Sequence, residues 1–373
     1  MGKLMRALGL MSGTSLDGID VALLETDGES QVVRGPAMTF AYTDAMRNLL
    51  RNAIADALSV TGRNDRPGCL PEADREITEQ HAAAVSAFLR NQNIAHATLD
   101  VIGFHGQTVL HRPEQHMTLQ LGLGDMLASL TRCRVVYDLR AADVEAGGQG
   151  APLVPVYHQA LTAHLKQRPL AVVNIGGIAN VTYIGRDGRL LAFDTGPGNA
   201  LIDDWMITKA GLPRDDNGAA AAKGNAQDEI VRFYLNHSYF AAPPPKSLDR
   251  QAFAGDMVHG LSLEDGAATL TALSAAAIAK AREHMPEEPE LWIVCGGGRL
   301  NRTLMSMIAG RVHHAVVPAE AAGLNGDSLE AEAWAYLAVR SLRGLPITFP
   351  GTTGASEPLT GGVIAEPQTY LVN

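Results

Sequence analysis

The chain has 373 residues, 46% of them hydrophobic, enough for more than one compact core. Thirty basic against forty acidic residues give a formal net charge of −10, and no Lys/Arg block forms a track for nucleic acid. Cys69, Cys133 and Cys295 are widely spaced with no CxxC pair, and no apolar run reaches the ~18 residues of a membrane span. These features exclude a disulfide scaffold, a zinc ribbon and a spanning helix. Without a recognisable signal peptide, they predict a soluble protein of a reducing cytoplasm.

Taken in order, residues 8–11, 19–25 and 38–42 read as three successive strands, with Asp27-Gly28 as the turn after the second. Between the first two lies a turn rich in glycine and hydroxyl groups, Ser12 to Gly18. Gly13 and Gly18 lack a Cβ, so the backbone there can take positive φ and let amide groups approach an anion. Ser12, Thr14 and Ser15 add hydroxyl donors. Asp17 and Asp20 would repel a bare phosphate but suit a hydrated Mg²⁺ bridging phosphate oxygens. Taken alone, the same stretch also reads as an ordinary hairpin turn.

A helix is expected through Met46, Leu49, Leu50, Ile54 and Leu58 after a Thr43/Asp44 cap, a second over residues 72–91, and strands at 100–104 and 134–137. The glycine-rich run from Gly147 to Pro152 falls near an expected join between domains, as a hinge, a cleft-lining loop or a plain linker. The second half opens as the first does, with apolar runs at 171–175, 181–184 and 190–193 split by Gly176-Gly177 and Asp187-Gly188. Helices follow near 199–209, 226–235 and 263–283, then a strand at 291–294, a helix from Leu300, a strand at 315–317 and a final helix over 328–342. A duplicated α/β domain with a ligand cleft explains this order.

Four further stretches carry chemistry. Gly176-Gly177 occupies the turn that matches Ser12 to Thr14, so two glycine turns are placed to clamp one triphosphate. Cys295-Gly296-Gly297-Gly298 follows an apolar strand and precedes a helix, where amide groups face a nucleotide. Neither GxxxxGK[ST] nor GxGxxG occurs, so a P-loop or an ordinary dinucleotide site is not expected. Asp194, in FDTGPGN, ends a strand, as either a general base or a helix-capping acid. His105 within FHGQT reads as structural. Asp138, Arg140 and Asp143 read as contacts for polar substrate groups or, more commonly for such sets, as an ion-pair network.

These motifs together resemble the anhydro-N-acetylmuramic acid kinases of the sugar kinase, Hsp70 and actin superfamily. The resemblance rests on GLMSGTSLDGID (9–20), FHGQT (104–108), AGGQGAPLVP (146–155), NIGGIANVT (174–182), FDTGPGN (193–199), CGGG (295–298) and TGASEP (353–358), in the family's order. It implies an α/β, ribonuclease H-like, two-domain sugar kinase/Hsp70/actin-like fold with a duplicated βββαβαβα core and an interdomain cleft. The domains would be residues 1–140, with the phosphate hairpin, and 141–373.

It also implies that ATP is held by Gly13, Thr14, Ser15, Leu16, Asp17, Gly18, Ile19 and Asp20 with Gly176, Gly177, Gly296 and Gly297. Mg²⁺ would sit at Asp17 and Asp20, directly or through water. The acceptor would be 1,6-anhydro-N-acetylmuramic acid, contacted by Glu330. Asp194 would activate a water for attack at C1 while O6 is phosphorylated, in the recycling of cell-wall sugars. Some relatives carry Cys in place of Thr195. No nucleic-acid or membrane partner is expected, and a homodimer is allowed. A hexose kinase that leaves no bridge to hydrolyse and a nucleotide-dependent scaffold are the competing readings.

Overall fold

The computed structural model describes residues 2–368, apart from Thr14, residues 249–251 and Asp327. The chain forms two compact units, Met1–Ala163 joined by Ser328–Asn373, and His164–Asp327. The expected boundary at residue 140 is therefore displaced, and the chain returns to its first unit for its last 46 residues.

The first unit opens with β1 (Met5–Met11), β2 (Gly18–Thr26) and β3 (Val32–Ala41), an antiparallel meander. Helix α1 (Asp44–Ala57) starts where the Thr43 side chain accepts from the Met46 amide at 3.2 Å, the cap its sequence predicts. Helix α2 (Leu70–Asn91) follows. Then come β4 (Val101–Phe104), a hairpin of β5 (Gln107–Arg112) and β6 (Met117–Leu121), α3 (Gly124–Thr131), β7 (Val135–Tyr137), α4 (Ala141–Glu145) and α5 (Pro155–Leu161). Alternation along the strands sends Leu8, Leu10, Val21 and Leu23 into one core with Leu50, Ile77, Val85 and Phe88 of α1 and α2.

The second unit repeats the plan with β8 (Leu170–Ile175), β9 (Ile178–Ile184) and β10 (Leu190–Pro197), again an antiparallel meander. Helices α6 (Ala200–Ala210), α7 (Asp228–Leu235), α8 (Ser238–Ala241) and α9 (Leu263–Lys280) precede β11 (Leu291–Cys295), α10 (Arg302–Ala309) and β12 (Ala315–Pro318). Strand β11 is buried along its whole length because it lies between β8 and β12, parallel to both.

The remaining elements are α11 (Leu329–Leu342), α12 (Pro350–Thr353) and β13 (Val363–Ala365), all in the first unit. Helix α11 is thus not the last element, and β13 pairs antiparallel with β7 at the sheet edge. The sheet orders are β13-β7-β4-β1-β2-β3 and β10-β9-β8-β11-β12. Without β13, both run meander edge, middle, first strand, then two parallel strands. That common order is the duplicated ribonuclease H-like core of the sugar kinase/Hsp70/actin fold.

Two glycines explain why α11 belongs to the first unit. Gly9 of β1 and Gly103 of β4 are register partners. A Cβ on Gly9 would lie 1.8 Å from the Ala331 carbonyl oxygen, and one on Gly103 2.0 Å from that of Trp334. The bare backbone forms a flat seat, and the helix rests on it closely enough to bury Ala331, Ala335 and Ala338.

Candidate functional site

The turn between β1 and β2 differs from its expected conformation in one respect. Neither Gly13 nor Gly18 has positive φ; Leu16 does, at 55°. Its side chain is 6% exposed and anchored in the core, which draws the backbone into the left-handed region despite the side chain. Gly18 is instead required by β3, since a Cβ there would lie 2.4 Å from the Phe40 carbonyl oxygen. A Cβ on Gly13 would meet only the Ser15 hydroxyl, at 3.6 Å, so that peptide is left open. Ile19 is buried in the core beneath the turn, and Thr14 lies outside the described residues.

The turn's acids are held by hydroxyls. Ser15 Oγ donates to Asp17 at 2.8 Å and Thr39 Oγ1 to Asp20 at 2.5 Å, which orients two carboxylates on one strand end. Among the described residues no group of three His, Cys, Asp or Glu side chains is placed to hold a metal. Two carboxylates nevertheless fit Mg²⁺, which keeps several waters and takes further oxygens from phosphate. Gln107 Oε1, on the segment that follows β4, is buried without a partner among the described residues.

The FHGQT segment, whose histidine reads from sequence as structural, is fastened directly to this turn. Ser12 Oγ donates to the Gly106 carbonyl at 2.8 Å, and Gln107 Nε2 donates to that of Gly13 at 3.2 Å. His105 Nδ1 lies 3.0 Å from the Ser12 carbonyl, which can only accept, so Nδ1 carries the hydrogen. Nε2 is then an acceptor, and Arg140 Nη2 donates to it at 3.2 Å. Burial, together with the Arg140 charge, holds the imidazole pKa well below its ordinary value, so the ring is neutral.

Arg140 is positioned from two further sides. Nη1 donates to the Gly150 carbonyl at 2.8 Å, and the guanidinium carbon lies 5.1 Å from the centre of the Trp334 ring. Trp334 also packs on His105, with ring centres 4.6 Å apart. Asp143 does not form a salt bridge with Arg140: its oxygens accept from the Gly150 amide at 2.7 Å and the Thr353 hydroxyl at 2.6 Å. Asp138 pairs elsewhere, with Arg63 at 2.5 Å. The three residues are therefore not one ion-pair network. The run from Gly147 to Pro152 lies inside the first unit.

Two acids two residues apart on α11, and so on opposite sides of it, have separate environments. Glu332 is 1% exposed and accepts from Arg34, Tyr157 Oη at 2.7 Å and Ser328 Oγ at 2.7 Å. Glu330 is exposed, and its charge is the largest electrostatic influence on Arg140. Glu332 holds the helix in place.

In the second unit the structure sets two of the glycine runs side by side. The Gly176 and Gly177 carbonyls accept from the amides of Asn199 (2.8 Å), Gly198 (2.9 Å) and Ala200 (3.2 Å), tying the turn to the start of α6. Gly296 has φ of 71°, and a Cβ there would lie 2.3 Å from Asn174 Oδ1. A Cβ on Gly297 would face Asn199 at 3.9 Å. The two glycine runs are therefore neighbours. One expectation changes: CGGG leads into a short 3₁₀ turn, and α10 begins later, capped by Asn301, whose side chain accepts from the Leu304 amide at 2.9 Å. The glycines do not form that helix's N-terminus.

Asp194 lies on β10 opposite Asn180, immediately before a bulge at Thr195 that shifts the register. Bulges re-aim side chains, and this one falls on an edge strand. The edge is covered by residues 246–248. The Asp194 amide donates to the Lys246 carbonyl at 3.0 Å, and the Leu248 amide donates to Asp194 Oδ2 at 2.7 Å. Tyr239 Oη donates to the Asp194 carbonyl at 2.6 Å. Burial raises the carboxyl pKa to about 6, although the Leu248 bond acts the other way. A carboxylate this desolvated is a stronger base than one in water. It does not cap α6.

Sequence reading missed Tyr239, Lys246 and Leu248, because nothing in their residue types marks the approach of this segment to Asp194. It also missed the pairing of His105 with Arg140. The FHGQT cluster at a strand end was the available signal.

With this geometry in view, comparison with known proteins is decisive. The family model described as anhydro-N-acetylmuramic acid kinase matches residues 5–367. The chain belongs to that family. A protein of that name from Azorhizobium caulinodans is 57% identical over 369 residues, covering 97% of this chain and all of its own. One from Agrobacterium fabrum is 51% identical over 370 residues, covering 98% and 99%, and one from Methylobacterium nodulans is 52% identical over 374 residues, covering 97% and 100%. Family membership makes the chain a kinase, a phosphotransferase of amino sugar metabolism and peptidoglycan recycling. Among the described residues no helix is long and apolar enough to cross a membrane.

Proposed function

We propose that the protein converts 1,6-anhydro-N-acetylmuramic acid, ATP and water to N-acetylmuramic acid 6-phosphate and ADP, with Asp194 as the general base. The observation that carries this reading is the Asp194 carboxylate itself. Its pKa is raised to about 6, and one oxygen is fixed by the Leu248 amide, so the other can take a proton in a defined direction. A water polarised by that oxygen forms a bond to C1 as the C1–O6 bond breaks. O6 then bonds to the γ-phosphorus as the bond to the β–γ bridging oxygen breaks. The proton from water rests on Asp194.

The phosphate chain would be held by the turn spanning Gly13 to Asp20 in the first unit, and by Gly176, Gly177, Gly296 and Gly297 in the second. Phosphoryl transfer needs mainly positioning and charge stabilisation, which open glycine peptides supply. Asp17 and Asp20 would hold Mg²⁺, which neutralises charge on the transferring group when bound. Glu330 would contact the sugar. The cytoplasm is the compartment that supplies ATP, and the described cysteines are all unpaired, as expected there.

A hexose kinase chemistry would have Asp194 deprotonate a sugar hydroxyl instead. Turnover in H₂¹⁸O distinguishes the two: label on the C1 hydroxyl of the product is expected, and unlabelled C1 would refute water attack. A nucleotide-dependent scaffold would bind ATP and form no sugar phosphate.

A further inference from the structure

Arg140 is an unusual cation for the interior of this unit. No carboxylate among the described residues lies within salt-bridge distance of it, and of a guanidinium's five N–H donors only two have partners, the Gly150 carbonyl and His105 Nε2. Its Nε is buried without any partner. Burial depresses the pKa of the group to about 10, so the fold bears a cost for keeping it charged. A buried donor on a charged group calls for a partner, and an anion is the one that also answers the charge.

The surroundings favour a planar monoanion. Trp334 packs against the guanidinium, His105 and Gly150 fix its rotation, and such a planar fork matches a carboxylate in a bidentate pair. The imidazole stands between Arg140 and Ser12, so the guanidinium is one ring's width from the phosphate turn rather than on it. Glu330, the foremost charge acting on Arg140, would repel a multiply charged phosphoryl group more than a carboxylate.

We propose that Arg140 is the specificity-determining residue that receives the carboxylate of the acceptor sugar, the lactyl acid that separates a muramic from a glucosamine sugar. This rests on the reading that the acceptor is 1,6-anhydro-N-acetylmuramic acid. His105 acts as a positioning residue. Its Nδ1–H tautomer, fixed by the Ser12 carbonyl, presents the lone pair that aims Nη2, so the acid-binding group and the phosphate turn are set by one ring.

The test compares kcat/KM for 1,6-anhydro-N-acetylmuramic acid and for the carboxyl-free 1,6-anhydro-N-acetylglucosamine, in wild type and in Arg140→Met. Wild type should prefer the acid by roughly 10- to 100-fold, the size of a charged hydrogen-bonded pair. In Arg140→Met the preference should collapse to within about threefold, through loss on the acid alone. If Arg140→Met fails to fold, Arg140→Gln is read in the same way, since it keeps donors for Gly150 and His105 without the charge. Equal losses on both sugars would place Arg140 on the phosphoryl group and overturn the proposal, as would a preference that survives in a folded, uncharged variant. A wild type that phosphorylates the two sugars equally overturns it while leaving the kinase reading intact. A wild type that phosphorylates neither refutes the kinase reading itself.

Discussion

The Leu248 amide meets Asp194 Oδ2 at 2.7 Å across 54 residues of chain, while the neighbouring Lys246 carbonyl takes the Asp194 amide. The catalytic candidate is thus held at both its main chain and its side chain by one passing segment. That segment also contributes to the desolvation that raises the carboxyl pKa to about 6.

A base must be ionised to work, so kcat/KM for the sugar should fall as pH drops through about 6, approaching tenfold per unit below it. A profile that stays flat down to pH 5 would remove Asp194 from the proton transfer.

Asp194→Asn should retain nucleotide affinity and lose several orders of magnitude in turnover, on the order of 10³-fold or more. The same variant should be more stable than wild type at pH 8. The native pKa lies above the unfolded value near 3.8, so the native state holds its proton more tightly. Stability is therefore lost as pH rises from about 4 through about 6, and the gain in the variant should be at most about 3 kcal/mol above pH 7. Thermal unfolding at pH 4.5 and pH 8 checks the sign: the advantage of Asn should shrink at the lower pH.

Glu332→Gln and Glu330→Gln should separate stability from activity. Glu332 is buried against Arg34, Tyr157 and Ser328, and losing its charge should cost about 3 kcal/mol or more. Glu330 is exposed, so its variant should unfold within about 0.5 kcal/mol of wild type while kcat/KM for the sugar falls. Denaturant titration beside steady-state kinetics reads both, and normal activity in Glu330→Gln would exclude its sugar contact.

Glycines of the first unit should divide in the same way. Gly9→Ala drives a methyl into the Ala331 carbonyl and should destabilise by about 3 kcal/mol, with a matching drop in Tm. Gly13→Ala meets only the Ser15 hydroxyl at an ordinary distance, so its Tm should hold. A raised KM for ATP in that variant would report a phosphate close to the peptide, and an unchanged one would place the nucleotide elsewhere.

Much of this protein was legible before any coordinates. The two meanders, the capped α1, the buried β11 and the α6 start were visible because short apolar runs, Thr43 and glycine turns act within a few residues. The chemistry-bearing motifs were likewise local strings. Less visible were the β5–β6 hairpin and α3, whose short runs lack a sustained period, and the return of the chain to its first unit. That return depends on Gly9 and Gly103 lying side by side, and they are brought into register only by parallel pairing of strands far apart in sequence.

The amino-acid sequence alone determined the duplicated plan, the family and the residue types proposed to face phosphate and sugar, since propensity, periodicity and motif order are properties of neighbours along the chain. Tertiary structure alone decided that Leu16 rather than a glycine bears the strained backbone, that Glu332 is structural while Glu330 is exposed, and that His105 aims Arg140. It also decided how basic Asp194 is. Burial and long-range hydrogen bonds set those properties, and both depend on which distant segments the fold packs against each residue.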